Sequence, residues 1–168
     1  MVCICCFELQ PVLQPFFPDW NNNLIIFEPV LKEGLYCFKI SIGSVWRCIS
    51  ISGNLELDIL SDAVLKAFDF DHDHLYQFTY RNRKGLIVNV NDPELEESPY
   101  ADETLIGELG LKPGDSFVYL YDFGDQWEFS LKLDKISPLD IELSLPILLD
   151  SYGDSPVQYE NDDEFDEF

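Results

Sequence analysis

The chain has 168 residues and carries 32 Asp and Glu against 10 Lys and Arg, which gives a formal net charge of −22 at pH 7. Hydrophobic residues make up 46% of it and aromatic residues 14%, so a wholly disordered chain is excluded and one packed domain is expected. The acidic surplus argues against direct binding to nucleic acids or anionic membranes, because few cations are present to neutralise phosphates.

The five cysteines form no recognisable metal or disulfide pattern. Cys3, Cys5 and Cys6 lack the C-x2-C spacing of a zinc site, and no second ligand pair follows them. The N-terminus has neither the basic segment nor the long apolar segment of a secretory leader, and no run approaches the ~18 apolar residues of a membrane span. We therefore expect free thiols and a cytoplasmic location without membrane contact.

The chain divides into three parts by composition. Residues 1–35 contain four prolines and an Asn run, and we expect an irregular extension that packs on the core through its aromatic side chains. Residues 36–153 contain the periodic segments of a domain. Residues 154–168 hold seven acids and no base, which predicts a solvated acidic tail.

The first periodic segment is a hairpin. Tyr36–Ile42 alternates apolar and polar residues, Gly43-Ser44 is a turn signal, and Val45–Ser52 runs back. A helix follows, with Asn54 or Asp58 as its expected N-cap. Five apolar residues lie at the spacing of one helical face: Leu57, Leu60, Val64, Leu65 and Phe68.

Two strands and a short helix are expected next. Leu75–Tyr80 and Leu86–Val90 are strands, separated by a turn that contains a cluster of three basic residues, Arg81, Arg83 and Lys84. A polar loop leads to a short helix or turn that ends near Leu111. Further on, the Pro- and Leu-rich segment 137–149 and the residues after it indicate a helical turn capped by Gly153.

The densest run of β-forming residues is Phe117–Ile136. It alternates on either side of a break at Asp122–Asp125, which is typical of a hairpin with one buried face. The complete set of elements predicts an α+β fold, with a mostly antiparallel sheet of about five strands and one main helix on one face. Their order is compatible with a β-grasp-like topology.

The order of these elements resembles the plasmid pRiA4b ORF-3-like family. The most specific part is Tyr119-x-Tyr121-Asp122-Phe123-Gly124-Asp125-x-Trp127-Glu128, and Val45-Trp46-Arg47, Asp71-x-x-His74-Leu75 and Gly153–Tyr159 support it. The resemblance implies a compact α+β domain and an association with mobile genetic elements, but no defined activity. Members usually carry His after the Trp-Glu pair and often carry His at the position after the His-Leu pair; this chain has Phe129 and Tyr76 there.

The candidate site consists of the turn at Asp122–Asp125 with the residues just after it, together with the segment that follows the helix. Its residues are Asp71, His74, Asp122, Gly124, Asp125, Trp127 and Glu128. Oxygen ligands at a turn suit Mg²⁺ or Ca²⁺. The simpler interpretation is turn chemistry, in which Asp122 caps backbone N–H groups, Gly124 takes a positive φ and Trp127 packs on the hairpin.

Two functions remain open at this point. The charge, together with the lack of a catalytic constellation, favours a non-enzymatic acidic module that binds a basic protein partner, with nucleic-acid mimicry as one form of it. This function needs no cofactor. The alternative is a metal-assisted enzyme acting on phosphoester or nucleotide substrates, built from Asp71, His74, Asp122, Asp125 and Glu128 with a divalent cation.

Overall fold

A computed structural model describes residues 32–138 and 146–159 of the chain. In these residues seven strands form a single sheet, with one α-helix and two short 3-10 turns. The strands are β1 Leu35–Ile42, β2 Val45–Ser52, β3 Tyr76–Arg81, β4 Ile87–Asn91, β5 Ser116–Tyr121, β6 Trp127–Ser137 and β7 Ile147–Tyr152. The helix α1 spans Leu57–Phe68, and the 3-10 turns span Ala101–Glu103 and Ile106–Leu109.

The strand order is β4-β3-β5-β6-β1-β2-β7, and every neighbouring pair is antiparallel. Alternate residues of the strands and the apolar stripe of α1 meet in one core. The core is rich in aromatic rings, with Phe129 in edge contact with Phe68 and Phe70 at centroid distances of 5.0 and 5.7 Å. The sheet therefore dominates the fold, with α1 packed against it.

The expectation of about five strands in a β-grasp-like arrangement is wrong. The described sheet has seven strands, and it contains no parallel pair such as the one at the centre of a β-grasp sheet. The largest difference concerns β7, because the sequence predicted a helical turn in that segment. Five of its six residues are exposed, so the segment lacks buried alternation, and it becomes a strand by pairing its backbone with the edge of β2.

Most of the local predictions are confirmed. The first hairpin, the helix with its five buried apolar residues, and the hairpin of β5 and β6 lie where the sequence places them. The N-cap is wrong: it is Glu56, and its side chain makes no capping hydrogen bond. Asp58 instead accepts a hydrogen bond from Tyr76 Oη at 2.6 Å, so a tertiary contact takes the place of the local cap.

Three features of the prediction are only partly covered by the described residues. Cys37 and Cys48 are free thiols, as expected, whereas the other three cysteines lie outside the description. Burial raises the pKa of Cys48 to about 12. The expected N-terminal extension lies almost entirely outside the description, as does most of the acidic tail, so the domain boundaries remain predictions. Within the described ranges, no helix has the length and apolarity needed to cross a membrane.

Candidate functional site

The turn between β5 and β6 is held by Asp122. Its Oδ1 accepts the N–H of Gly124 at 2.8 Å, and its backbone carbonyl accepts the N–H of Gln126 at 2.7 Å. The positive φ angles fall on Asp122 and Gln126, both at 56°, so the expected positive φ at Gly124 is wrong. Glycine is favoured at position 124 for a different reason, because a Cβ atom added there would lie only 3.1 Å from Asp122 Oδ1.

The segment after α1 meets this turn through Tyr121. The Tyr121 hydroxyl donates to the Asp71 carbonyl and accepts the N–H groups of Asp73 and His74 at 3.0 and 3.2 Å. The backbone N–H of Asp122 donates to Leu75 O at 3.0 Å. A buried tyrosine therefore fixes the path of the segment against the turn, and two of the predicted blocks lie together.

His74 lies between two carboxylates. Its Nε2 is 3.6 Å from Asp122 Oδ2 and 3.8 Å from Asp73 Oδ1. Asp122 is buried at 8% exposure, whereas the side chain of His74 is 40% exposed. The imidazole thus lies between a buried and an exposed carboxylate.

The last described residues close onto the same segment. Gln158 Oε1 accepts the N–H of Asp71 at 2.6 Å, and the Tyr159 hydroxyl lies 2.8 Å from both carboxylate oxygens of Asp73. The hydrogen bond from Tyr159 is the main reason that the pKa of Asp73 is held below its ordinary value. The first part of the predicted acidic tail is therefore bound to the domain.

The remaining predicted residues do not join this cluster. Asp125 is exposed in the turn, and Glu128 is an exposed residue of β6 next to the buried Phe129, so it lies on the opposite face of the sheet. Trp127 packs on Phe70 with centroids 5.1 Å apart. Across residues 32–138 and 146–159, no three His, Cys, Asp or Glu side chains are grouped so that they could hold a metal ion. The proposed metal site thus has no geometric support among these residues.

A polar cleft of about 660 Å³ opens beside His74. We call it the acidic cleft, and its lining residues are Asp58, His72, Asp73, His74, Leu75, Asp92, Pro93 and Glu94. The cleft lies where the start of α1, the segment before β3 and the residues after β4 converge. Four carboxylates and two imidazoles therefore face one opening.

Asp92 is the most deeply buried carboxylate of the cleft. It is 8% exposed, and its Oδ1 accepts the N–H of Glu94 at 2.8 Å. Burial raises the pKa of the Asp92 carboxyl, with the negative charges of Glu94 and Asp58 acting in the same direction. Burial and the neighbouring carboxylates therefore disfavour the ionised form of Asp92 at the wall of this cleft.

The carboxylates of the cleft have no cationic neighbours. Among the described residues, no Lys or Arg side chain lies within 4.0 Å of a carboxylate oxygen; the three close charge pairs all involve His72 or His74. His72 Nδ1 lies 3.0 Å from Oδ1 of Asp62, a residue that does not line the cleft. The negative potential of the cleft is therefore not neutralised from within the described part of the protein.

Sequence reasoning found one side of this site and missed the other. It identified His74, whereas Asp58, Asp92, Glu94 and Tyr159 were not singled out as site residues. Asp58 was considered as a helix cap, and Tyr159 was used only for the family resemblance. Asp92 and Glu94 lie in a loop that was interpreted as solvated, and no local pattern marks them because the pairing of β3 with β4 brings them to the cleft.

A second concavity, of about 700 Å³, is mostly apolar and lies between α1 and β7. Ile59 and Ala63 of the helix face Ile147 and Leu148 across it. It contains none of the predicted site residues.

Comparisons with known proteins agree with the resemblance inferred from the motifs. An uncharacterized protein of Sinorhizobium fredii, y4hQ, is 29% identical over 116 residues, which are 68% of this chain and 58% of that protein. The chain thus spans less than two thirds of the length of this relative. A protein of unknown function from Methanosarcina mazei Go1 has a crystal structure that matches with a TM-score of 0.64 at 25% identity, over 74% of this chain and 72% of that one. Residues 38–160 match the plasmid pRiA4b ORF-3-like proteins, and the chain belongs to that family.

Proposed function

We propose that this protein is a non-catalytic interaction module whose acidic cleft binds a basic segment of a protein partner. The observation that carries the proposal is the acidic cleft itself, in which four carboxylates without Lys or Arg partners among the described residues line one opening. The net charge of −22 adds a long-range attraction for basic partners.

The chemistry of the cleft suits an Arg or Lys side chain. A cation placed among Asp58, Asp73 and Asp92 gains Coulomb energy from all three, and this gain is larger near the protein surface than in bulk water. A guanidinium group also donates up to five hydrogen bonds, which suits a cleft lined by several carboxylates. Pro93 and Leu75 offer apolar contact to the aliphatic stem of the same side chain.

A peptide titration tests this function. An octapeptide that alternates Arg and Gly, labelled with fluorescein, is titrated with the protein, and anisotropy gives the Kd. Asp73→Asn with Asp92→Asn removes two cleft charges, and we expect the Kd to rise about tenfold, equivalent to roughly 1.4 kcal/mol. Binding of the unaltered protein should also weaken with added salt.

The matched control changes the same number of charges elsewhere. Glu128→Gln with Asp134→Asn alters two exposed carboxylates on β6, outside the cleft. The control should change the Kd less than threefold. Equal weakening by both variants would mean that diffuse surface charge, and not the cleft, binds the peptide. No binding of the Arg-Gly peptide at any salt concentration would overturn the proposal.

A further inference from the structure

The turn between β3 and β4 is unlike the rest of the molecule. Arg81, Arg83 and Lys84 are three of the ten basic residues of the chain, and each is exposed. No carboxylate of a described residue lies within 4.0 Å of their charged atoms. Their hydrogen bonds go to backbone carbonyls, from Arg81 to Gly85 at 2.6 Å and from Arg83 to Gly110 at 3.3 Å. Three cations in a strongly acidic protein are thus left without a counterion among these residues.

Exposed apolar side chains adjoin these cations. Leu86 is 60% exposed and Ile87 is 66% exposed, and only Gly85 separates them from Lys84 in the sequence. We call residues 81–87 the basic turn. Clustered cations beside a small apolar patch fit an acidic surface that has an apolar rim. In this protein, the acidic cleft with Leu75 and Pro93 in its lining is such a surface.

The two surfaces lie at opposite ends of one hairpin. β3 and β4 are antiparallel, so residues 72–75 and 92–94 lie at the open end, while the basic turn closes the other end. The six residues of β3 between them span about 20 Å at roughly 3.3 Å per residue. A side chain of the basic turn therefore cannot reach the cleft of its own chain, whereas it can reach the cleft of another copy.

We propose that the basic turn of one copy docks in the acidic cleft of a second copy, which gives head-to-tail association. The inference rests on the proposed cation-binding function of the cleft and names one partner for it. Because the two surfaces differ, the contact is heterologous. Each copy keeps one free cleft and one free turn, so association continues into short chains unless the geometry closes a ring.

The net charge makes the salt dependence of this association distinctive. Two molecules of charge −22 repel each other at long range, and at low ionic strength this repulsion opposes the local attraction. At about 0.15 M salt the Debye length is roughly 8 Å, so the long-range repulsion is screened more than the contact pairs are. Self-association should therefore be strongest at intermediate salt and weaker at both extremes.

Sedimentation velocity on the full chain tests the inference. The protein should form species heavier than its 19.4 kDa protomer as its concentration rises. The turn variant Arg81→Gln, Arg83→Gln, Lys84→Gln and the cleft variant Asp73→Asn, Asp92→Asn should each remain monomeric under the same conditions. Lys112→Gln, Lys132→Gln, Lys135→Gln removes three exposed cations elsewhere and changes the net charge by the same amount, so it should still associate under these conditions.

Mixing the turn variant with the cleft variant is the decisive measurement. The first retains a cleft and the second retains a turn, so an equimolar mixture should form a dimer of twice the protomer mass and nothing larger. Lys84→Glu adds a milder variant, because the Lys84 side chain makes no hydrogen bond to a described residue. It should weaken association at least tenfold while leaving the melting temperature unchanged.

The outcomes separate the two proposals. A protein that is monomeric at every salt concentration but binds the Arg-Gly peptide overturns head-to-tail association and leaves the function of the cleft intact. Association that survives in the turn variant, or a mixture that yields no dimer, also overturns it. Failure of the peptide to bind overturns the function of the cleft, and the inference fails with it.

Discussion

Arg47 and the acidic cleft are two places where this protein takes charge out of water, and they do so differently. Arg47 is 7% exposed and lies on the inner face of β2, with its guanidinium carbon 4.8 Å from the Phe68 ring centroid. No described carboxylate lies within 4.0 Å of it. It donates to five acceptors: the carbonyls of Ala67, Trp46, Tyr152 and Gly153, and Ser155 Oγ.

Arg47 has a structural role, whereas the cleft carboxylates are the ones that we propose bind a ligand. The donors of Arg47 are directed at fixed acceptors that include the last turn of α1, whose carbonyl end favours a cation. It thereby ties the end of β7 and the following residues to the core. Asp92, in contrast, lines an open cleft, and burial raises the pKa of its carboxyl group. Removing the two charges should therefore affect stability in opposite directions.

The largest effect is expected from Arg47→Met. The substitution removes the donor of five part-buried hydrogen bonds, and an acceptor left unpaired away from water costs about 1–3 kcal/mol. We expect the free energy of unfolding to fall by about 3 kcal/mol or more, measured by urea denaturation. Limited proteolysis should cut near Gly153, because the contacts that hold this segment to β2 are lost.

Two control variants accompany the Arg47 measurement. Arg47→Lys keeps the charge but not the planar set of donors, so its loss should be intermediate. Arg81→Met removes an exposed cation and should change stability by about 0.5 kcal/mol or less. If Arg47→Met lowers the free energy of unfolding no more than Arg81→Met does, Arg47 does not hold the end of β7 to the core.

Asp92→Asn should have a smaller effect of the opposite sign. Burial raises the pKa of this carboxyl in the folded protein above its unfolded value of about 3.9, so the ionised form is disfavoured by folding. The penalty is present in full above the folded pKa and disappears as pH falls below the unfolded pKa. The variant should gain on the order of 0.5 kcal/mol at pH 7, and this gain should vanish near pH 3.

Thermal unfolding between pH 3 and pH 7 measures the effect of Asp92→Asn. Asp134→Asn, at an exposed position of β6, should show no such pH-dependent gain. A variant that is less stable than the unaltered protein at pH 7 would contradict the contrast with Arg47. The same variant should bind the Arg-Gly peptide more weakly, because it removes one of the negative charges that we propose bind the peptide.

The smallest expected effect follows from Tyr159→Phe. The lost hydroxyl is the main cause of the low pKa of the Asp73 carboxyl, so that pKa should rise toward its ordinary value. Carbon-detected NMR titration of the Asp side chains measures the change. Tyr152→Phe alters a 62% exposed tyrosine and should leave the pKa of Asp73 where it is. Equal titration curves in both variants would show that Tyr159 does not anchor the end of the chain on Asp73.

Part of the site could be predicted because its signals are local. The turn at Asp122, the capping of Gly124 and the proximity of His74 to that turn follow from residue types in one hairpin and from the segment after α1. The role of Gly124 was assigned incorrectly, because close approach of a side chain and a positive φ both select glycine. The opposite wall of the cleft could not be found, since Asp58 and Asp92 are 34 positions apart in the sequence and each has an ordinary local interpretation.

The sequence by itself determined the hairpins, the amphipathic helix and the family, because alternation, helical periodicity and turn residues act over a few neighbouring positions. Only the tertiary structure decided that Ile147–Tyr152 is an edge strand, that Arg47 is buried, and that the acidic cleft and the basic turn lie at opposite ends of one hairpin. These features depend on backbone pairing and on contacts between segments far apart in the chain, which no local pattern encodes.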